Sequence, residues 1–238
     1  MGAVINPIYP KTQRTRRLNP GLYTLIAILA LGVSVITFSA SSVRLSKADI
    51  EKLGRQYGHQ AKLRLRNWQR LIDKLQHESE PVKLQKVNDF FNSVRFLNDI
   101  NHWQKADYWA TPVEFLISNG GDCEDFSIAK YYTLRELGVP DKKMSIAYVR
   151  AVEYNQAHMV LTYYSSSNAM PQILDNLIPQ IKPANQRPDL IHVYSFNGDN
   201  LWLSKKGRRA ELVGTSDRLE PWVKLRSRLN NNTVNSVN

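Results

Sequence analysis

The sequence predicts an α+β domain, helices first and an antiparallel sheet second, and three observations carry that reading. Between Ser46 and Leu97 apolar residues recur at three- and four-residue steps, the period of an amphipathic helix. From Met144 onward the pattern changes to period two, in β-rich runs separated by short polar turns. Gly138 and Pro140 stand between the two regimes, where a helix has to stop. The chain has 238 residues, 42% of them hydrophobic and 22% charged, which is enough for one full core and excludes wholesale disorder.

Residues 1–21 form a basic lead with Arg14, Arg16 and Arg17, and residues 22–40 open with the apolar run LYTLIAILALGVSVITF before turning small and polar. This reads as an export segment, either a signal anchor or a signal peptide, because about 17 apolar residues lie near the lower limit for crossing a bilayer. The basic lead stays cytoplasmic by the positive-inside rule. The remainder is therefore expected in the periplasm, anchored to the inner membrane if the segment is retained. A single cysteine excludes an internal disulfide and any zinc site built from several cysteines.

The folded domain is expected over residues 46–225. Ile50, Leu53, Tyr57, Ala61, Leu65, Trp68, Ile72 and Leu75 line one face of what reads as one long amphipathic helix. Lys52, Arg55, Lys62, Arg66, Arg70 and Lys74 occupy the other face and account for much of the net charge of +11 as solvated surface. No zinc-finger spacing, RNP-like motif or glycine-rich phosphate loop accompanies that charge, so nucleic acid is not the expected partner. Pro81 marks a break, and Val87, Phe90, Phe91, Val94 and Leu97 give a second helix. Residues 101–119 lack periodicity and read as an irregular connector ending in a short helix near Val113 to Ser118. Asp122 then suits an N-cap, which puts Cys123 in the first turn of a helix that runs toward Gly138. Met144 to Val152 and Ala157 to Tyr164 form a hairpin around EYNQ; QILDNL follows, and IHVYSF and NLWL flank the turn NGD. Residues 229–238 make a polar, flexible tail, and no internal repeat is present.

The chemistry centres on GGDCEDF, where Cys123 sits among Asp122, Glu124 and Asp125. A reactive cysteine is a thiolate, and neighbouring carboxylates raise its pKa. Either the thiol is inert packing or something positive enters the site. In favour of reactivity, the unpaired N–H groups of a helix start stabilise a thiolate. His158 follows 35 residues later near the start of a strand, and Asp175 another 17 residues on, so a helix packed on a sheet could bring the three together. His192 on IHVYSF, with Asp189 nearby to orient it, competes for the same role; His59, His77 and His102 have no acid at matching spacing. From the residues alone both sets stay open.

The stretch GDCEDFSIAKYYTLRELGVP, followed by AHMVLTYY, ILDN and YSFNGDNLWL, resembles the bacterial transglutaminase-like cysteine proteases. Upstream, RQYGHQAKLRLRNWQRLI and ADYWATPVEFL extend the similarity, which covers about residues 46–205. The resemblance implies a papain-like fold in the transglutaminase arrangement, with Cys123 as nucleophile, His158 as general base and acid, and Asp175 orienting the imidazole. It implies calcium dependence, with the ion on Asp122, Glu124 and Asp125; carboxylates are the hard oxygen ligands Ca²⁺ takes, and a dication cancels their repulsion of the thiolate. The competing account is that Asp122 caps the helix while Glu124 and Asp125 only favour its positive end. The implied substrate is a large surface adhesin cut in its N-terminal region, releasing it and dispersing a biofilm. The implied regulator is the periplasmic domain of an inner-membrane cyclic di-GMP receptor (LapD-like). The Cys123 N–H is the default oxyanion donor, with Trp103 or Trp109 as walls, and Trp202 is a candidate exposed contact. A transglutaminase-like acyl transferase and a non-catalytic binding module remain as alternatives.

Overall fold

A computed structural model of the chain describes residues 43–205 and 208–230. The basic lead and the apolar segment of residues 22–40 lie outside the described residues, as does nearly all of the polar tail. Among the described residues no helix is long and apolar enough to cross a membrane.

The long amphipathic run folds as two helices, α1 (Lys47–Tyr57) and α2 (His59–Leu75), where the periodicity alone predicts one. Gly58 separates them in a left-handed conformation with φ +91°, which a residue with a side chain adopts only under strain. Ser46 and Asp49 close a capping box at the start of α1. The expected apolar face is otherwise intact, with Ile50, Leu53, Ala61, Leu65, Trp68 and Ile72 buried.

Helix α3 (Glu80–Asn92) carries Pro81 in its first turn, where a missing N–H costs nothing. It stops at Asn92, short of the expected Leu97, because β1 (Arg95–Phe96) pairs in parallel with β2 (Gly120–Gly121) and the Leu97 N–H goes to Gly121 O at 2.9 Å. Two short helices follow, α4 (Asp99–His102) and α5 (Pro112–Ser118), the second capped by a Thr111–Glu114 box. Helix α6 (Cys123–Glu136) is buried on nearly every side, with Phe126, Ile128, Ala129, Tyr131, Tyr132 and Leu134 all in the core. It lies against α3, α5 and the sheet.

The sheet comprises β3 (Met144–Ala151), β4 (Gln156–Tyr163), β5 (Gln172–Leu174), β6 (Lys182–Pro183), β7 (Leu190–Phe196), β8 (Asn200–Lys205) and β9 (Arg208–Thr215). They are ordered β6-β5-β4-β3-β7-β8-β9 and each neighbouring pair is antiparallel. The β3–β4 hairpin forms as the sequence predicts, its turn over Val152–Asn155 lying one residue before the expected EYNQ, with Asn155 at φ +49°. Alternation divides the sheet into two faces. Met144, Ile146, Met159, Leu161, Leu174 and Phe196 join the helical core, whereas Ala147, Val149, Val160 and Ile173 form a smaller cluster apart from it. Helix α7 (Glu220–Asn230) returns across the core and buries Trp222 against Tyr131, Tyr132 and Phe196.

One feature of register positions the chemistry. The β4–β5 pairing ends at Leu161 and Leu174, so β4 runs on through Gln156–Val160 with no β5 residue opposite. Helix α6 meets the sheet chiefly at β4.

Candidate active site

Two glycines allow the start of α6 to form. A Cβ on Gly120 would stand 2.3 Å from Leu97 Cδ1, and one on Gly121 would stand 2.1 Å from Asp125 Oδ2. The space that Gly121 leaves is filled by Asp125, whose Oδ2 accepts the Asp122 N–H at 3.3 Å and whose Oδ1 accepts the Ala110 N–H at 2.7 Å. Asp125 thus ties the connector to the helix start, and its carboxyl is pushed well up by burial first and by the charges of Asp122 and Asp99.

Cys123, the first residue of α6, is partly buried and free. Its thiol donates to Glu124 Oε2 at 3.2 Å. Burial, then the charges of Glu124 and Asp122, push its pKa well up, and a hydrogen bond from the Met159 N–H pulls it down. That N–H belongs to the stretch of β4 left without a β5 partner, so the sulfur lies against the segment that carries His158.

His158 is 2% exposed, and its Nε2 meets Asp175 Oδ1 at 2.8 Å. Asp175, just past the end of β5, is 1% exposed; its Oδ1 also accepts the Leu177 N–H at 3.0 Å and its Oδ2 accepts Arg187 Nη2 at 2.7 Å. Burial works to raise this carboxyl, yet the hydrogen bonds and charges of its donors prevail and hold it at about 2. Asp175 is therefore ionised, Nε2 carries the proton between them, and Nδ1 is the nitrogen left to act as a base.

Among the described residues no acid is hydrogen-bonded to the rival histidine, His192. Asp189 is taken by Arg187, through Nε to Oδ1 at 3.0 Å and Nη2 to Oδ2 at 2.8 Å, while His192 sits on β7 opposite Val149. Of the two candidate pairs, His158 and Asp175 are the one joined by a hydrogen bond.

Asp122 and Glu124 belong to a larger acidic group that the sequence reading did not reach. Asp99 and Asp107 join them: Asp99, Asp107 and Glu124 offer oxygens within 4.8 Å of one another, as do Asp99, Asp122 and Asp125. The connector holds these acids in place, with the Tyr108 N–H bonded to Asp99 Oδ2 and Trp109 Nε1 donating to Asp107 Oδ1 at 2.8 Å. Burial foremost, with mutual repulsion added, pushes Asp99 up to about 7, Asp122 to about 8 and Glu124 to about 7. Asp99 Oδ1 and Asp122 Oδ1 are buried with no hydrogen-bond donor facing them. Buried oxygens without donors, in a cluster that resists holding its own charge, fit a hard divalent cation. Asp125 lies within reach, but both its oxygens already serve backbone N–H groups.

The two candidate wall residues pack against other aromatic rings. Trp109 is buried and stacked on Phe196 at 5.5 Å, and its Nε1 steadies Asp107. Trp103 packs beside His102 and Tyr108. Trp202 is half-buried and lines a cavity of about 490 Å³ with Lys142 and Ser145; a second cavity of about 180 Å³ adjoins Val149 and Val160. Cys123, His158 and Asp175 line neither cavity.

Residues 60–209 match the family described as bacterial transglutaminase-like cysteine proteinase BTLCP. Legionella pneumophila LapG in an EGTA-treated form is 42% identical, with a TM-score of 0.69 over 78% of this chain and 98% of that one. A calcium-bound form of the same protein is 41% identical, with a TM-score of 0.67 over 78% of this chain and 99% of that one. No curated protein matches the chain. With the family match spanning most of the α+β domain and solved relatives aligned over nearly their whole length, the chain belongs to the bacterial transglutaminase-like cysteine proteinases.

Proposed function

We propose that this chain is a periplasmic, calcium-dependent cysteine endopeptidase that cuts the N-terminal region of a large surface adhesin and so promotes biofilm dispersal. The observation that carries the reading is the His158–Asp175 pair at 2.8 Å, with the next residue of β4, Met159, hydrogen-bonded through its N–H to the sulfur of Cys123. Cys123 is the nucleophile, His158 the base and acid, and Asp175 the group that fixes the imidazole. The calcium-bound LapG relative supports the metal assignment, as do the orphaned oxygens of Asp99 and Asp122.

Asp175 holds the Nε2 proton and leaves the Nδ1 lone pair to take the thiol proton. The thiolate attacks the peptide carbonyl carbon, and the Cys123 N–H at the start of α6 receives the developing oxyanion. The imidazolium then returns its proton to the leaving amine as the C–N bond breaks, giving a thioester. Water, deprotonated by the same Nδ1, hydrolyses the thioester and restores the thiol. Ca²⁺ held by Asp99, Asp107, Asp122 and Glu124 would supply positive charge against the repulsion those acids exert on the thiolate. Those four residues are the proposed ligands, in place of the narrower set Asp122, Glu124 and Asp125.

The test is incubation of the purified chain with the N-terminal region of a co-encoded large repeat adhesin, with and without EGTA. Cleavage is expected from the unmodified chain in calcium and not from Cys123→Ala or His158→Ala, both retaining the parent circular dichroism spectrum. Full activity in either variant rejects the assignment of roles. Unchanged turnover in excess EGTA leaves the acids as helix caps. Product masses in the presence of a lysine-rich acceptor separate hydrolysis from acyl transfer. Added periplasmic domain of a LapD-like cyclic di-GMP receptor is expected to suppress cleavage, and undiminished cleavage with that domain in excess removes it as regulator.

A further inference from the structure

Asp175 is gripped from two sides. His158 Nε2 and the Leu177 N–H share Oδ1, while Arg187 Nη2 takes Oδ2 at 2.7 Å. Arg187 is itself 3% exposed and is fixed by Asp189, which accepts from both Nε and Nη2. The guanidinium therefore stands between two carboxylates, one buried and one partly exposed.

We propose that Arg187 is a positioning residue for the orienting acid: its Nη2, held in place by the two-pronged contact with Asp189, sets the rotation of the Asp175 carboxylate so that Oδ1 faces His158, and Asp189 sets how much of the positive charge Asp175 receives. The proposal rests on the reading of Cys123, His158 and Asp175 given above. A carboxylate with one oxygen bonded and the other bare is free to rotate about its Cβ–Cγ bond, and a flip exchanges the oxygen that His158 meets. Buried as Asp175 is, bulk water is not there to replace the missing donor. The planar guanidinium spans both carboxylates with donors in fixed directions; a lysine ammonium has the charge without the fork. Sequence spacing supports the arrangement, since Arg187 and Asp189 lie on the short link before β7 that returns the chain to β3.

The charge balance gives the proposal a signed consequence. The charged groups that bear on Asp175, and through it on the His158 imidazole, include Arg187, Asp189 behind it, and Lys130 from the buried face of α6; Cys123, at the start of that helix, meets Met159, the next residue of β4. Removing the Arg187 charge leaves Asp175 a stronger partner for an imidazolium and raises the His158 pKa. Removing the Asp189 charge gives Asp175 a larger share of the guanidinium and lowers it. A residue that only filled space would not move the imidazole in opposite directions.

The experiment is ¹⁵N NMR titration of His158 in a Cys123→Ala background, so that it does not depend on turnover. Arg187→Gln is expected to raise the His158 pKa by about one unit, and Asp189→Asn to lower it by less than that. With Cys123 restored, Arg187→Gln is expected to lower kcat by about 10- to 100-fold with KM little changed, and Arg187→Lys to recover the His158 pKa more fully than kcat. An unmoved His158 pKa in both folded variants overturns the proposal, as do shifts of the same sign or a fall in kcat with the titration unchanged. If Arg187→Gln does not fold, the sign of the Asp189→Asn shift decides alone. An inactive Cys123-bearing parent defeats the proteolytic reading and leaves this titration interpretable.

Discussion

At Asp175 two opposing effects can be weighed. Burial favours the neutral acid, and donors from three different parts of the chain favour the anion; the anion wins, with the carboxyl held at about 2. Its pKa is lower in the fold than in the unfolded chain, so its contribution to stability is present above the unfolded value of about 4 and is lost as pH falls through about 2. The shift from 3.8 corresponds to about 2 kcal/mol. Urea denaturation of the unmodified chain is therefore expected to lose more stability between these pH values than that of Asp175→Asn, and parallel curves would show that the charge contributes nothing. The same substitution tests chemistry. An amide at this position can donate to Nε2, which moves the ring proton to Nδ1 and removes the base; kcat is expected to fall by about 10³- to 10⁴-fold, and a wild-type rate would deny Asp175 its role.

The start of α6 depends on an empty space. Gly121→Ala would put a Cβ 2.1 Å from Asp125 Oδ2, so the carboxylate has to leave and the Asp122 and Ala110 N–H groups lose their acceptor. The expected cost is about 1–3 kcal/mol, read as a lowered melting temperature with activity lost in step because the connector beside Cys123 is released. A variant melting with the parent would mean that Asp125 ties nothing. These contacts also mark how far sequence reasoning reaches. Period and capping residues disclosed α6, α5, the β3–β4 hairpin and the buried faces of α1 and α2, because each is written in neighbouring residues. The break at Gly58 is not legible because one glycine does not disturb a helical period, nor are β1 and β2, because two-residue strands have no pattern of their own. Cys123, His158 and Asp175 were legible through a local motif and its resemblance. Asp99, Asp107 and Arg187 were not: they act through contacts made by irregular connectors, whose path no periodicity encodes.

For the molecule as a whole, a chain of net charge +11 encloses a concentrated negative centre, and the proposed calcium site predicts how its stability depends on pH. Burial foremost, with mutual repulsion added, pushes Asp99, Asp122 and Glu124 up to about 7, 8 and 7 in the fold, above their unfolded values near 4. Raised carboxyl groups contribute stability that is present below about pH 4 and lost as pH rises through those folded values. Without a divalent ion, the chain is therefore expected to melt at progressively lower temperature from pH 5 to pH 8. Ca²⁺ binds the ionised form and competes with the protons that otherwise neutralise the cluster, so it should raise the melting temperature more at pH 8 than at pH 5. Thermal melts in EGTA and in calcium at the two pH values, at matched ionic strength, measure this difference directly. Magnesium at the same concentration should substitute poorly, since it sheds its water reluctantly and demands a tighter octahedral shell. Asp107→Asn should reduce the calcium effect at pH 8, because that acid completes the group with Asp99 and Glu124. An equal calcium shift at both pH values, or none at either, would mean that the acids are held by protons and hydrogen bonds alone.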